Sequence, residues 1–145
     1  MKRYETKTAD ETLETGVILG QSLKRGDVVA LYGGLGAGKT VLAKGIAKGL
    51  GIQEDVTSPT FTLLRQYQGR LALCHFDLYR IEDEQELEHI GFYDYLGGDN
   101  ACVIEWPENA PDIDANVIVR IEGSGNEPRY IEIKENEDKH DHSCG

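Results

Sequence analysis

The eight residues Gly33-Gly34-Leu35-Gly36-Ala37-Gly38-Lys39-Thr40 fit the pattern G-x-x-x-x-G-K-[ST] without a gap, and each part of that pattern has a mechanical reason. Glycines let the backbone turn through conformations that a Cβ forbids, so successive N–H groups face inward toward phosphate oxygens. A helix starting near Lys39 adds the positive end of its dipole. Lys39 supplies a flexible point charge for the β and γ phosphates, and the Thr40 hydroxyl is placed to ligate a Mg²⁺ ion bridging them. Phosphate binding is therefore the first expectation. Hydrolysis, transfer to an acceptor and sensing all remain open from the loop alone.

A loop of this kind needs a second acid at the end of another strand, to orient Mg²⁺ or an attacking water. Two residues qualify. Glu105 closes the apolar run Cys102-Val103-Ile104 and Asp77 closes the run ending in Phe76; both would stand at the carboxyl ends of strands, where open α/β sheets bind ligands. Either acid is equally readable as a solvated strand terminus. Arg80 suits charge stabilisation at phosphates or an ion pair with the acids of Glu82 to Glu86. Thr57, Ser58 and Thr60 occupy a Pro-containing connection about 20 residues after the loop, where nucleotide-responsive segments and plain hydroxyl-rich turns both occur. Trp106, beside Glu105, reads first as core or interface and second as a reporter of binding.

The elements that must hold these groups follow from periodicity. Thr8-Ala9-Asp10-Glu11 has the form of a capping box, and Leu13, Val17 and Leu23 follow, which predicts a helix over about residues 10 to 24. Val28 to Tyr32 is a short apolar run that enters the glycine-rich loop directly, as a buried strand does. Behind the loop Leu42, Ile46 and Leu50 recur every four residues and Gly51 marks the stop. Thr60 to Tyr67 and Arg70 to Phe76 predict a hairpin through Gln68-Gly69, and Glu82 to Ile90 a short helix. Ala101 to Trp106 predicts a strand, and Val117 to Ile121 with Tyr130 to Lys134 a second hairpin. The fold class is α/β: a single P-loop NTPase domain, with a mostly parallel central sheet plus antiparallel hairpins.

Composition narrows the functional class. The 145 residues, 39% of them hydrophobic, suit one core, assigned to residues 1–134, with 135–145 read as a polar tail. No apolar stretch approaches the roughly 20 residues needed to span a bilayer, so no membrane partner is expected and a cytoplasmic location is the simplest. Cys74, Cys102 and Cys144 lack CxxC spacing and read as reduced thiols. His140, His142 and Cys144 sit in the tail, which argues against a metal site there. The formal charge of −11 disfavours tight binding to a nucleic-acid backbone by the free protein.

Taken together, the loop Gly33 to Thr40, the segment Thr57-Ser58-Pro59-Thr60-Phe61-Thr62-Leu63, the segment His75-Phe76-Asp77-Leu78-Tyr79-Arg80 and the triplet Glu105-Trp106-Pro107 resemble the bacterial TsaE family. The likeness extends over about residues 5 to 122. It implies a Mg²⁺-dependent ATPase supporting installation of N6-threonylcarbamoyladenosine on tRNA, working with the proteins TsaB and TsaD. ATP binding would dock it on that pair and hydrolysis would reset the assembly, with tRNA reached only through the partners. By position, the family implies ATP contacts at Gly33, Gly34, Leu35, Gly36, Ala37, Gly38, Lys39, Thr40 and Thr60. It implies Mg²⁺ at Thr40 and Glu105, and catalysis by Lys39, Asp77 and Glu105. Gly34 departs from the family, which commonly has an acid there.

Two rivals stand beside this reading. Gly33, Gly36, Gly38 and Lys39 also satisfy the spacing of small-molecule kinases, but after Arg80 the only arginines are Arg120 and Arg129, too few for an arginine-rich lid. A non-catalytic nucleotide-sensing switch is the other, and the absence of N-K-x-D disfavours its common GTP-binding form.

Overall fold

The computed structural model of the chain describes residues 1–59 and 62–135. A seven-stranded sheet runs through it in the order β1-β7-β6-β2-β5-β4-β3. The strands are β1 (Lys2–Thr6), β2 (Val28–Tyr32), β3 (Leu64–Gln68), β4 (Ala72–Asp77), β5 (Asn100–Glu105), β6 (Val117–Glu122) and β7 (Arg129–Glu135). The centre, β6-β2-β5-β4, is parallel, while β3, β7 and β1 add antiparallel edges. The expected α/β fold with both hairpins is therefore what the chain adopts. Glu135, expected to open the tail, is the last residue of β7; the rest of that tail, with His140, His142 and Cys144, lies outside the described residues.

Strand alternation builds two layers. Leu73, Ala101 and Val103 face the side covered by α1 (Ala9–Ser22) and α2 (Lys39–Gly49), joining Leu42 and Ile46 in one apolar cluster. Cys74, Phe76, Cys102 and Ile104 face the other side, against Leu87 of α3 (Glu84–His89) and Phe92 of α4 (Phe92–Tyr95). Both Cys74 and Cys102 are buried. At the foot of the sheet Asn116 accepts from Val28 N–H and donates to Asp27, locking the starts of β2 and β6 together.

Helix α1 begins as predicted. Thr8 Oγ1 accepts from Glu11 N–H at 3.1 Å, and Glu11 reaches back to Lys7 N–H rather than to Thr8. Its C-terminal carbonyls at Gly20 and Leu23 are met by the Arg70 guanidinium, a cation where the dipole favours one. The buried face differs from expectation: Leu13 and Val17 are half-exposed, and the buried stripe is Thr12, Thr15, Gly16, Leu19 and Gly20. The reason is a close approach to α2. A Cβ on Gly16 would lie 2.4 Å from Leu42 O, and one on Gly45 would lie 2.1 Å from Leu13 O, so only glycine permits this spacing. The helix carrying Lys39 and Thr40 is thereby held tightly against α1.

Candidate nucleotide site

The loop after β2 supplies the first wall of the site. Gly36 and Gly38 have φ of 77° and 104°, in the left-handed region that side chains resist, and Gly38 is the N-cap of α2. Gly34 has open space around it, so the acid common at that place in the resembled family would fit sterically. Leu35 is exposed at the loop tip and Ala37 is buried. Gly33 packs against Ile121 of β6. Thr40, half-buried, lies in the first turn of α2 next to Lys39.

Lys39 is buried, and its Nζ finds no hydrogen-bond acceptor among the described residues. It sits 3.7 Å from the centre of the Trp106 ring instead. Burial pushes the Lys39 ammonium below its ordinary value, while the carboxylates of Glu105, Asp77 and Glu108 pull the other way. A cation on an indole face gains about 1 to 2 kcal/mol, less than the several kcal/mol that desolvating an ammonium costs. An anion with oxygen acceptors would satisfy Lys39 better than the ring does.

The second wall is the pair of acids. Asp77 ends β4 and Glu105 ends β5, and they are register neighbours on adjacent parallel strands, with Leu31 of β2 on the other side of Glu105. Both are buried and both face the helix α2 side, two residues beyond Leu73-His75 and Ala101-Val103 respectively. Asp77 Oδ1 accepts from Tyr79 N–H at 3.0 Å. Glu105 Oε2 lies 2.6 Å from His75 Nε2 in a buried hydrogen bond that fixes the carboxylate's orientation. The sequence signal for a role of His75 is its place two residues before Asp77, hence on the same strand face.

Trp106 has φ of 57°, an unusual conformation for a bulky residue, and stacks on Tyr79 with ring centres 4.8 Å apart. The turn after β5, Pro107–Asn109, is tied to the turn after β4 through Asn109 Nδ2 and Leu78 O at 2.8 Å. The connection with Thr57 and Ser58 ends at Leu63, whose carbonyl accepts from Asp77 N–H and whose φ is 67°. Leu63 therefore abuts the Asp77 backbone. Thr60 lies outside the described residues. Arg80 is exposed and lines a separate groove with Asp83, Glu86 and His89. Trp106 is the only tryptophan in the chain, so drawing Lys39 off its ring should give a saturable change in tryptophan emission on titration with Mg-ATP, absent in Lys39→Ala. An unchanged spectrum at saturation would contradict the placement of Lys39.

A family model described as threonylcarbamoyl adenosine biosynthesis protein TsaE matches residues 6–139. The chain belongs to the TsaE family. It is 43% identical over 128 residues to the tRNA threonylcarbamoyladenosine biosynthesis protein TsaE of Treponema pallidum, covering 86% of this chain and 95% of that one. The TsaE of Bacillus subtilis is 44% identical over 105 residues, 72% of this chain and 65% of the relative. The crystal structure of Bacillus subtilis YdiB superposes with a TM-score of 0.78 at 30% identity, covering 99% of this chain and 90% of that one. The α/β architecture is thus that of the TsaE relatives. Among the described residues no helix is long and apolar enough to cross a membrane.

Proposed function

We propose that this TsaE chain is a Mg²⁺-dependent ATPase serving tRNA N6-threonylcarbamoyladenosine formation, acting in complex with TsaB and TsaD. The observation that carries the reading is the buried Lys39 Nζ, without an acceptor among the described residues, beside a left-handed glycine loop and within the field of the Asp77 and Glu105 carboxylates. The glycine loop and Lys39 bind the triphosphate as substrate. Thr40 and Glu105 are the residues that would hold Mg²⁺, hard oxygen donors of the type that ion takes. When bound, the ion neutralises charge on the phosphate oxygens. His75 keeps the Glu105 carboxylate aimed. Asp77, held by Tyr79 N–H, orients the attacking water and accepts its proton.

TsaB and TsaD enter from the family pathway, and the charge of −11 supports leaving the tRNA to them. Docking with ATP bound and release after hydrolysis would cycle the assembly. The test is calorimetric titration of the purified chain with Mg-ATP beside Lys39→Ala. That substitution should weaken binding by about 1.5 to 3 kcal/mol, the scale of a hydrogen bond to a charged group. Equal affinity in the variant would remove Lys39 from the site and with it the reading.

A further inference from the structure

We propose that Arg129 is a positioning residue for the phosphate-binding loop, gripping the Gly36 and Ala37 carbonyls from behind so that the Gly38 amide faces the phosphates. The proposal rests on the reading of this loop as a triphosphate cradle. Arg129 opens β7 opposite Thr6 of β1, so its backbone is fixed in the sheet. Its side chain then reaches 92 residues back in sequence, donating from Nε to Ala37 O at 3.0 Å, and from Nη2 to Gly36 O at 3.4 Å. The same guanidinium donates from Nη2 to Gly125 O at 3.2 Å and from Nη1 to Glu127 O. Two sites on the loop are thus fastened to two on the turn between β6 and β7.

Those acceptors decide what the contact does. A trans peptide is planar, with its C=O and N–H pointing in opposite directions. Holding the Ala37 carbonyl outward therefore turns the Gly38 N–H inward, and Gly38, at φ 104°, is a residue whose backbone would otherwise sample many alternatives. Within the loop Ala37 N–H donates to Gly34 O at 3.2 Å, which leaves the Gly38 N–H as the amide that the grip turns inward. An arginine suits the task because its donors lie in a rigid plane, whereas a lysine brings the charge without the fork. All four acceptors are neutral main-chain carbonyls, and among the described residues no carboxylate pairs with the guanidinium, so its charge stands behind the anion site. An arginine that merely closed its own turn would need Gly125 and Glu127 alone.

The test pairs amide hydrogen exchange of the nucleotide-free full chain with ADP titration, for wild type, Arg129→Ala, Arg129→Lys and Lys39→Ala. Arg129→Ala should speed exchange at Gly36 to Lys39 while α1 and the rest of α2 keep their rates, and should weaken ADP about tenfold. Arg129→Lys should behave like Arg129→Ala. Should Arg129→Ala fail to fold, Arg129→Lys carries the same comparison. Wild-type exchange in the loop of either variant, or full rescue of ADP affinity by Arg129→Lys, overturns the clamp. If Lys39→Ala loses ADP and Arg129→Ala does not, only the clamp fails; if Lys39→Ala binds like wild type, the cradle itself fails.

Discussion

Asp77→Asn is expected to lower steady-state ATP hydrolysis about a hundredfold or more, the span ascribed to positioned proton acceptors, with much the smaller effect on ATP affinity. The substitution is nearly isosteric, and the amide oxygen can still accept from Tyr79 N–H, which Asp77 Oδ1 now does at 3.0 Å. The turn leading to Tyr79 and its stacked Trp106 should therefore hold. What disappears is the negative charge beside Glu105, and with it both the attraction for a water proton and part of the field on Lys39. Removing the repulsion between the Asp77 carboxylate and a phosphate of like charge also means that binding need not suffer. Hydrolysis measured at saturating Mg-ATP together with a binding titration separates the two effects. A variant that hydrolyses ATP at the wild-type rate would leave Asp77 a structural acid.

Gly45→Ala is expected to destabilise the fold by about 3 kcal/mol, the upper range of overpacking costs, or roughly 10 °C in Tm for a chain of this size. The new methyl would stand 2.1 Å from Leu13 O and 2.9 Å from Gly16 Cα, both backbone atoms that no rotamer change can clear. Replacing a helical glycine by alanine gains about 1 kcal/mol of helix propensity, which is too little to offset the clash. Separation of α1 from α2 would also shift the turn that bears Lys39 and Thr40. The control is Gly98→Ala, where nothing lies within 4 Å of the added carbon. Thermal denaturation of the two variants should differ by several degrees; equal Tm values would show that the helices can part at no cost.

The glycine loop was legible because its function constrains consecutive residues, and Asp77 and Glu105 because each closes an apolar run. Their pairing was not legible: that β4 and β5 are neighbours with Asp77 opposite Glu105 depends on strand order, which no local pattern encodes. Helix α1 shows the opposite case. Its apolar residues Leu13 and Val17 suggested a face, yet the real contact is made by Gly16 and Gly20 against Gly45 and Gly49, where closeness rather than side-chain area is what packs. Spacing of four between glycines in both helices was the available signal. Strand β1 carries no apolar signal for a related reason, since Lys2–Thr6 is an edge strand whose only buried residue is Thr6. The bonds of Arg129 to main-chain carbonyls leave no trace in residue types.

The central claim, a nucleotide-hydrolysing site whose turnover is governed by TsaB and TsaD, is tested most directly by steady-state ATP hydrolysis of the purified chain in Mg²⁺, alone and with that pair added. The expected result is slow hydrolysis alone, a clear rise with the pair, and loss of both in Lys39→Ala and Asp77→Asn. Hydrolysis that neither responds to the pair nor depends on these two residues would contradict the account.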